Sequence, residues 1–366
     1  MTRIVISGYY GFGNAGDEAM LAALLDSLTG TIAGVDITVI TGNCALTQAN
    51  HHVKTVNRLN FWGIFWALLR SDLLISGGGS LLQDVTSSRS LYYYLAVIKM
   101  AQFLFCPVML YAQGIGPIQR PFARRLVRHI LEQVALISVR DEESKMELES
   151  MGVVTPVVEV TADAVLAMNP VDTAIGQHIL KQYNIMGIRP KIGISVRDWK
   201  NRSRYKDEIA KAADCLHREW DADIVFIPMQ YPDDVQTALY IQSLMETTPY
   251  ILNERYSTSE LMAVTGCMNV LLGIRLHALI FASVMKVPVA AISYDPKIDR
   301  FMDLIGEPLC GTLDTVTTEM LVDDIGRKLS LGHVGENVMG RMTRLRELSL
   351  RNARLALQII EKKNKH

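Results

Sequence analysis

Three cations and an imidazole follow directly on apolar runs in the second half of the chain. KIGISV (191–196) leads into Arg197, and NVLLG (269–273) leads into Arg275, Leu276 and His277. PVAAIS (288–293) then delivers Tyr294, Asp295 and Lys297. An arginine fork matches a carboxylate bidentately, whereas lysine and a helix N-terminus suit a phosphate. An imidazole of ordinary pKa, ~6.5, exchanges protons near neutrality. Taken singly, any one of these residues has a bland alternative reading as a solvated surface group. Taken together, at strand ends rather than on outer helix faces, they describe a site for a small, highly charged anion.

The first half offers glycine loops in the same kind of position. GYYGFGNAGDEAM (8–20) contains Gly11-x-Gly13-x-x-Gly16 behind the apolar run RIVIS. A dinucleotide site needs an acidic residue at the end of the second strand to hold the ribose. That strand ends here in Thr41, Gly42 and Asn43. Asp17 and Glu18 also stand where pyrophosphate would meet a helix N-terminus, and they would repel it. Asn14 and Asp17 can instead hydrogen-bond a polyhydroxylated ligand or brace their own turn, with capping favoured for Asp17 and Glu18. In SGGGSLLQD, Gly78 and Gly79 either expose backbone N–H groups to a ligand or form a tight strand-to-helix turn. YAQGIGP supplies Gln113, and SVRDEES supplies Arg140, for which a solvated surface position is an equal reading. Three such loops on successive strands outline the floor of a cleft.

The elements that must position these residues are short apolar runs alternating with helical patterns. Strands are expected at 3–7, 36–41, 73–76, 107–112, 136–140 and 157–162, and again at 191–196, 223–228, 250–254, 268–273 and 288–293. Continuously apolar strands imply parallel sheets covered on both faces, and two sets imply two doubly wound α/β domains. The expected division is an N-terminal Rossmann-like domain over 1–172, a C-terminal one over 173–335, and a helix over 336–366 that packs back on the first. Leu345, Leu348, Leu355 and Ile359 share one face of that helix. Two Rossmann-like domains facing a cleft and closed by a C-terminal helix is a GT-B-like layout, with ligands at the carboxyl ends of the strands.

Composition narrows the function classes. The chain has 366 residues, 49% hydrophobic and 20% charged, which fits two domains of ~100–200 residues each. A net charge of -1 gives no global attraction to nucleic acid. Five scattered cysteines without metal-ligand spacing argue against zinc and for a reducing cytoplasm. The first residues run straight into a strand pattern, so no signal peptide is expected. YYYLAVIKMAQFLFCPVMLYA (92–112) is interrupted by Lys99, Gln102 and Pro107 and reads as a buried helix followed by a buried strand. In LNFWGIFWALL (59–69), Trp62, Phe65, Trp66 and Leu69 share a helical face, for which core packing is favoured over a membrane interface. The basic RRLVRH (124–129) is a second candidate for membrane contact, though such clusters are usually solvated faces.

The motifs GYYGFGNAGDEAML, SGGGSLLQD, YAQGIGP, SVRDEES, TADAVL, GIRLHAL and SYDPK stand in the order found in the polysaccharide pyruvyl transferase family. The resemblance spans about residues 1 to 310 and is strongest to the CsaB-type branch, which acts on secondary cell-wall polymers. It implies a GT-B-like fold and transfer of pyruvate from phosphoenolpyruvate to two hydroxyls of one sugar, with release of phosphate. For that branch it implies a 4,6-ketal on N-acetylmannosamine, in a lipid-linked disaccharide at the cytoplasmic membrane face. The product carboxylate would be recognised in S-layer anchoring. Phosphoenolpyruvate is then a co-substrate, with no cofactor, no metal and no nucleic acid involved.

On this resemblance the donor site falls on Arg275, Leu276 and His277, with Arg197 and Lys297 matched by position. His277 would be the general acid/base, Arg197 and Arg275 would hold the carboxylate or bridge both anionic groups, and Lys297 would stabilise departing phosphate. Gly13, Asn14, Asp17, Gly78, Gly79, Gln113 and Arg140 would line the acceptor side. Two other readings compete. A nucleotide-sugar glycosyltransferase shares the architecture but often places an acidic ribose contact where GIRLHAL has Arg and His. A glycan-binding module would be smaller and would carry exposed aromatic platforms.

Overall fold

The computed structural model describes residues 1–85, 88–199 and 202–364. Eight strands form the first sheet: β1 (Thr2–Ser7), β2 (Val35–Thr41), β3 (Lys54–Asn57), β4 (Leu73–Ser76), β5 (Gly79–Leu82), β6 (Val108–Ile115), β7 (Leu136–Val139) and β8 (Val158–Val160). Its order is β3-β2-β1-β4-β6-β7-β8, with β5 paired to β6. All of these pairings are parallel; Ile4, for example, lies between Ile37 and Leu73. Successive residues serve opposite faces, as the pleat requires. Val5 and Leu74 enter one core, while Ile4, Ile6, Leu73 and Ile75 enter the other.

The second sheet contains β9 (Lys191–Ser195), β10 (Asp223–Phe226), β11 (Tyr250–Ile251), β12 (Val270–Gly273), β13 (Val289–Ser293) and β14 (Gly311–Thr312). Its order, β11-β10-β9-β12-β13-β14, is also wholly parallel. In chain rank this is 3-2-1-4-5-6, the order of a Rossmann sheet. The first sheet begins in the same 3-2-1-4 order. Each sheet therefore reverses direction beside its own first strand, and loops diverge there to leave a crevice at the carboxyl edge.

By contacts, one unit comprises Met1–Gly13, Asp17–Met168 and Leu345–His366, and the other comprises Asn14–Gly16 and Asn169–Arg344. Three short elements escape the apolar-run criterion. β3 is half-exposed KTVN, β14 has only two residues, and β5 takes in Gly79 of the triple-glycine motif. SGGGSLL is therefore not a tight turn into a helix. Its second half is a strand against β6, and the next helix begins only at Ser88. The segment 92–112 divides into a helix ending at Phe103 and the fully buried β6. No helix of the described residues is long and apolar enough to cross a membrane.

The expectation that 59–69 packs into the core is overturned. The helix Phe61–Leu69 buries Ile64 and Leu68, while Phe61, Trp62, Trp66 and Leu69 are exposed. Nine residues give one narrow buried stripe, and this sequence is apolar on nearly every side, so its bulkier half faces outward.

In the C-terminal helix Glu336–Asn364, Leu345, Leu355 and Ile359 are buried and Leu348 is half-buried. Polar anchors fix its register on the first unit. Asn352 is fully buried, accepts from Thr161 Oγ1 at 3.0 Å and donates to the Ser349 carbonyl at 2.9 Å. Ser349 donates to the Asp163 carbonyl at 2.8 Å. Asn352→Ala removes its buried hydrogen bonds to Thr161 and Ser349, at a cost of about 1–3 kcal/mol in all, while Thr161 Oγ1 keeps its bond to the Val139 carbonyl at 3.1 Å. Urea unfolding is expected to show that loss, whereas exposed Arg354→Ala should stay within about 0.5 kcal/mol of wild type.

Candidate functional site

The second sheet changes direction between β9 and β12, and the residues following those two strands meet there. Arg197 lies two positions beyond β9. Arg275 is the residue before the helix Leu276–Val284, and His277 lies in that helix's first turn. Leu276 is buried, so its side chain belongs to the core.

Arg275 is held by Gln230 of the loop after β10 and by Asp234 in the first turn of the helix Asp233–Gln242, neither of which the sequence singled out. Its Nε donates to Asp234 Oδ2 at 3.1 Å, and its Nη2 donates to Asp234 Oδ1 and, at 3.2 Å, to Gln230 Oε1. Asp234 has a side chain 1% exposed and accepts from the backbone N–H groups of Met229 (3.1 Å) and Gln230 (2.9 Å) as well. The pair leaves the Nη1 hydrogens of Arg275 without a partner among the described residues. A guanidinium fixed on one edge by a buried carboxylate is a pre-oriented donor, because little side-chain entropy remains to be lost on binding.

Arg197 is fixed differently. Its Nη1 donates to the Tyr294 hydroxyl at 2.7 Å, and its guanidinium lies 5.1 Å from the Trp199 ring centroid and 5.2 Å from that of Tyr294. The fully buried Tyr205 donates to the Arg197 carbonyl at 2.6 Å, and burial pushes the Tyr205 phenol well up. The next residue, Lys206, brings a third cation. Its side chain is 11% exposed and pairs with Asp198, whose side chain is 63% exposed. Arg197, Lys206 and Arg275 line a cavity of about 540 Å³ with Gln230, Thr237 and Tyr240. Asp198, Asp233 and Asp234 complete the charged lining, so the cavity carries its own counter-ions.

His277 is placed by Gly16. A Cβ built on Gly16 would stand 2.0 Å from His277 Nδ1, so only glycine lets the imidazole lie against this backbone. The segment is itself anchored: Ala15 N–H donates to the Met229 carbonyl at 2.9 Å, and Asn14 forms an antiparallel bridge with Gln230. Asn14 Oδ1 accepts from Gly16 N–H at 2.9 Å and so caps the helix Ala15–Thr31. Lys297 is half-buried, with Nζ 3.4 Å from Asp295 and 5.2 Å from the Tyr294 ring centroid. It is not among the residues lining the cavity.

In the first unit, Gly79 and Asp17 come together, a Cβ on Gly79 lying 3.6 Å from Asp17 Oδ1. A Cβ on Gly78 would stand 3.1 Å from Met20 Sδ, and Gly13 takes a positive φ of 74°. Glu18 braces the opening loop by accepting from Gly11 N–H at 2.7 Å and meeting His51 Nε2 at 3.2 Å. Gln113 is wholly buried; its Nε2 donates to Ser76 Oγ at 2.8 Å and to the Gly77 carbonyl at 3.0 Å. It therefore ties β6 to the triple-glycine loop. Arg140 is not a solvated surface residue. It is 9% exposed, lies within 3.5 Å of Asp141 and 3.4 Å of Asp163, and donates to Ser80 Oγ at 3.1 Å. Among the described residues, no group of three or more His, Cys, Asp or Glu side chains is arranged to hold a metal ion.

Removing one partner of a buried ion pair leaves an uncompensated charge and typically costs 3–5 kcal/mol. Asp234→Ala is therefore expected to lower unfolding free energy in urea by about that amount. The double variant Asp234→Leu/Arg275→Met should recover most of the loss.

The chain is 21% identical over 364 residues to the amylovoran biosynthesis protein AmsJ of Erwinia amylovora, covering 84% of this chain and 86% of that one. Its fold is similar to that of the S. aureus MnaA–UDP co-structure, with a TM-score of 0.69 at 14% identity, covering 100% of this chain and 97% of that one. It is also similar to E. coli ADP-heptose LPS heptosyltransferase II, with a TM-score of 0.53 at 12% identity, covering 90% and 99%. These likenesses establish a GT-B-like fold of two Rossmann-like units. The family model of the polysaccharide pyruvyl transferases matches residues 14–296, from Asn14 of the opening loop to Pro296 beyond β13, and the chain belongs to that family.

Proposed function

We propose that the chain transfers the pyruvyl group of phosphoenolpyruvate, as a cyclic ketal, to two hydroxyls of one sugar. The acceptor is an N-acetylmannosamine residue of a lipid-linked secondary cell-wall polymer precursor, ketalised at O4 and O6 at the inner membrane face. Family membership supports a transferase acting on a saccharide. The observation that carries the donor assignment is the cavity where Arg197, Lys206 and Arg275 converge. Phosphoenolpyruvate carries its carboxylate and its phosphate ester on the same carbon, C2, so it needs a planar fork and a compact cation within a few ångströms.

In this reading Arg275 and Arg197 orient the carboxylate, and Lys206 receives the phosphate by exchanging Asp198 for it. Asp198 is exposed enough to swing into water, whereas Asp234 is locked. Protonation of the methylene carbon by His277 makes C2 electrophilic. One sugar hydroxyl adds to C2 and loses its proton, the C2–O bond to phosphate breaks, and the second hydroxyl closes the ketal as its proton leaves. Phosphate and ketal are the only products. Lys297 is close enough to Tyr294, the partner of Arg197, to act on departing phosphate once its own pairing with Asp295 is released. On the acceptor side, Gly13, Asn14, Asp17, Gly78 and Gly79 supply hydrogen-bonding backbone and side chains, with Gln113 and Arg140 shaping the loops that carry them.

The test is incubation with phosphoenolpyruvate and a water-soluble N-acetylmannosaminyl disaccharide, following phosphate release and acceptor mass. Turnover is expected, with a mass gain equal to one pyruvyl ketal, and His277→Ala should abolish it. Thermal stabilisation by UDP but not by phosphoenolpyruvate would sink the proposal in favour of a nucleotide-sugar transferase; a ligand at 100 times its Kd adds ~2.7 kcal/mol.

Two substitutions probe the geometry without touching the reacting groups. Gly16→Ala drives a methyl into the His277 ring, and a displacement on the order of 1 Å costs about 100-fold. Its kcat is expected to fall on that scale with the melting temperature little changed. Asp198→Asn removes the internal competitor for Lys206 and is expected to lower KM for phosphoenolpyruvate; a raised KM would refute the exchange.

A further inference from the structure

The first unit carries an apolar face that the proposed chemistry does not use. Along the helix Phe61–Leu69, the rings of Phe61, Trp62, Phe65 and Trp66 form an unbroken edge-to-face ribbon, with centroid separations of 5.5, 6.0 and 5.8 Å. Trp62 is 66% exposed and Trp66 51%. A neighbouring segment adds two further exposed aromatics. Ser71 Oγ meets Cys106 Sγ at 3.1 Å, which sets the end of this helix beside Phe103 and Phe105, 75% and 92% exposed. Scattered exposed apolar side chains are ordinary, but a contiguous aromatic band is not.

The helix and the residues flanking it carry charge of one sign. Residues 54–71 contain Lys54, Arg58 and Arg70 and no carboxylate. Beside Trp66 opens a second cavity, of about 410 Å³, lined by Arg3, Lys54, Trp66, Arg70 and Ser71, with Asp36 as its one acid. Asp36 is held by Lys54 at 2.7 Å. Neighbouring Asp72 accepts from Arg3 N–H at 2.9 Å and lies 3.5 Å from Lys363 Nζ. Among the described residues, the guanidinium groups of Arg3 and Arg70 have no carboxylate partner. Arg70 instead lies 5.6 Å from the Trp66 ring centroid. Tryptophan and phenylalanine flanked by arginine, on a helix with no acid, is the composition of an element lying flat in a bilayer interface.

We infer that this face docks on an anionic lipid bilayer, with the Phe61–Leu69 helix in the headgroup boundary and the Arg3–Lys54–Arg70 cavity receiving a lipid phosphate. The inference deepens the reading of a lipid-linked acceptor and rests on it for its purpose. Its evidence lies wholly in the first unit.

The test is co-sedimentation of the 366-residue chain with phosphatidylcholine vesicles, with and without phosphatidylglycerol, alongside turnover of the water-soluble disaccharide. Wild type should bind the phosphatidylglycerol vesicles and be released by salt. Trp62→Ser/Trp66→Ser should lose binding at least tenfold. Arg3→Gln/Arg70→Gln should weaken it about fivefold per charge, on phosphatidylglycerol vesicles alone. All variants should keep the wild-type melting temperature and soluble turnover. Unchanged vesicle binding by the folded tryptophan variant would overturn the inference. So would a wild-type dimer in sedimentation that this variant breaks, with no vesicle binding. Protection by inorganic phosphate without vesicle binding would assign the cavity to a free anion and also overturn it. Loss of soluble turnover by wild type would instead count against the pyruvyl transfer reading and leave vesicle binding standing.

Discussion

The buried contact between Arg275 and Asp234 is the constraint on which the rest of the second unit's working edge depends. Asp234 gathers two backbone N–H groups from the β10 loop and the guanidinium from the β12 loop on one carboxylate. The same loop offers the Met229 carbonyl and the Gln230 backbone to Ala15 and Asn14. Gly16 is thereby brought against the His277 ring. One carboxylate thus sets both an arginine and, through two backbone contacts, an imidazole. Such a pair need not add net stability, since desolvation offsets most of its attraction. Its contribution is orientation.

Much of the architecture was legible because parallel strands buried on both faces must be continuously apolar, and RIVIS, KIGISV and PVAAIS are. Two of the strands that escaped do not bury two faces, and the third, though buried, begins in the glycine run. KTVN sits at the edge of its sheet, Gly311–Thr312 ends the other, and Gly79–Leu82 opens with a residue whose φ of 90° is closed to most side chains. The aromatic helix was misjudged for a different reason. Periodicity reports that side chains share a face, and only packing reveals whether that face looks inward.

At the site, strand-end position brings Arg197 and Arg275 to one cavity, as the topology of a doubly wound sheet directs, while His277, in the first turn of the helix Leu276–Val284, lies against Gly16 and is not among the residues lining it. Lys206 went unseen, since a lysine in a charged amphipathic helix reads as solvated. A signal was present nonetheless: Lys206 shares a helical face with Ile209, Ala210 and Ala213, all buried, so it stands on the apolar stripe. Asp234 and Gln230 gave no comparable cue, because QYPDD has the composition of any acidic turn. The triple glycine pointed to close backbone approach, which Gln113 and Met20 exploit, rather than to an open anion nest.

The pairing of Lys206 with the exposed Asp198 has a consequence for selectivity. A cation that already holds an internal counter-ion presents no net attraction to dilute anions, so the site resists casual occupation. An incoming ligand must outbid a tethered carboxylate, which acts at high local concentration. A lone inorganic phosphate gains one contact by doing so. A molecule carrying two anionic groups also gains the arginines in the same event. The tether thus sets a threshold that a ligand with two anionic groups crosses more readily than a lone phosphate does.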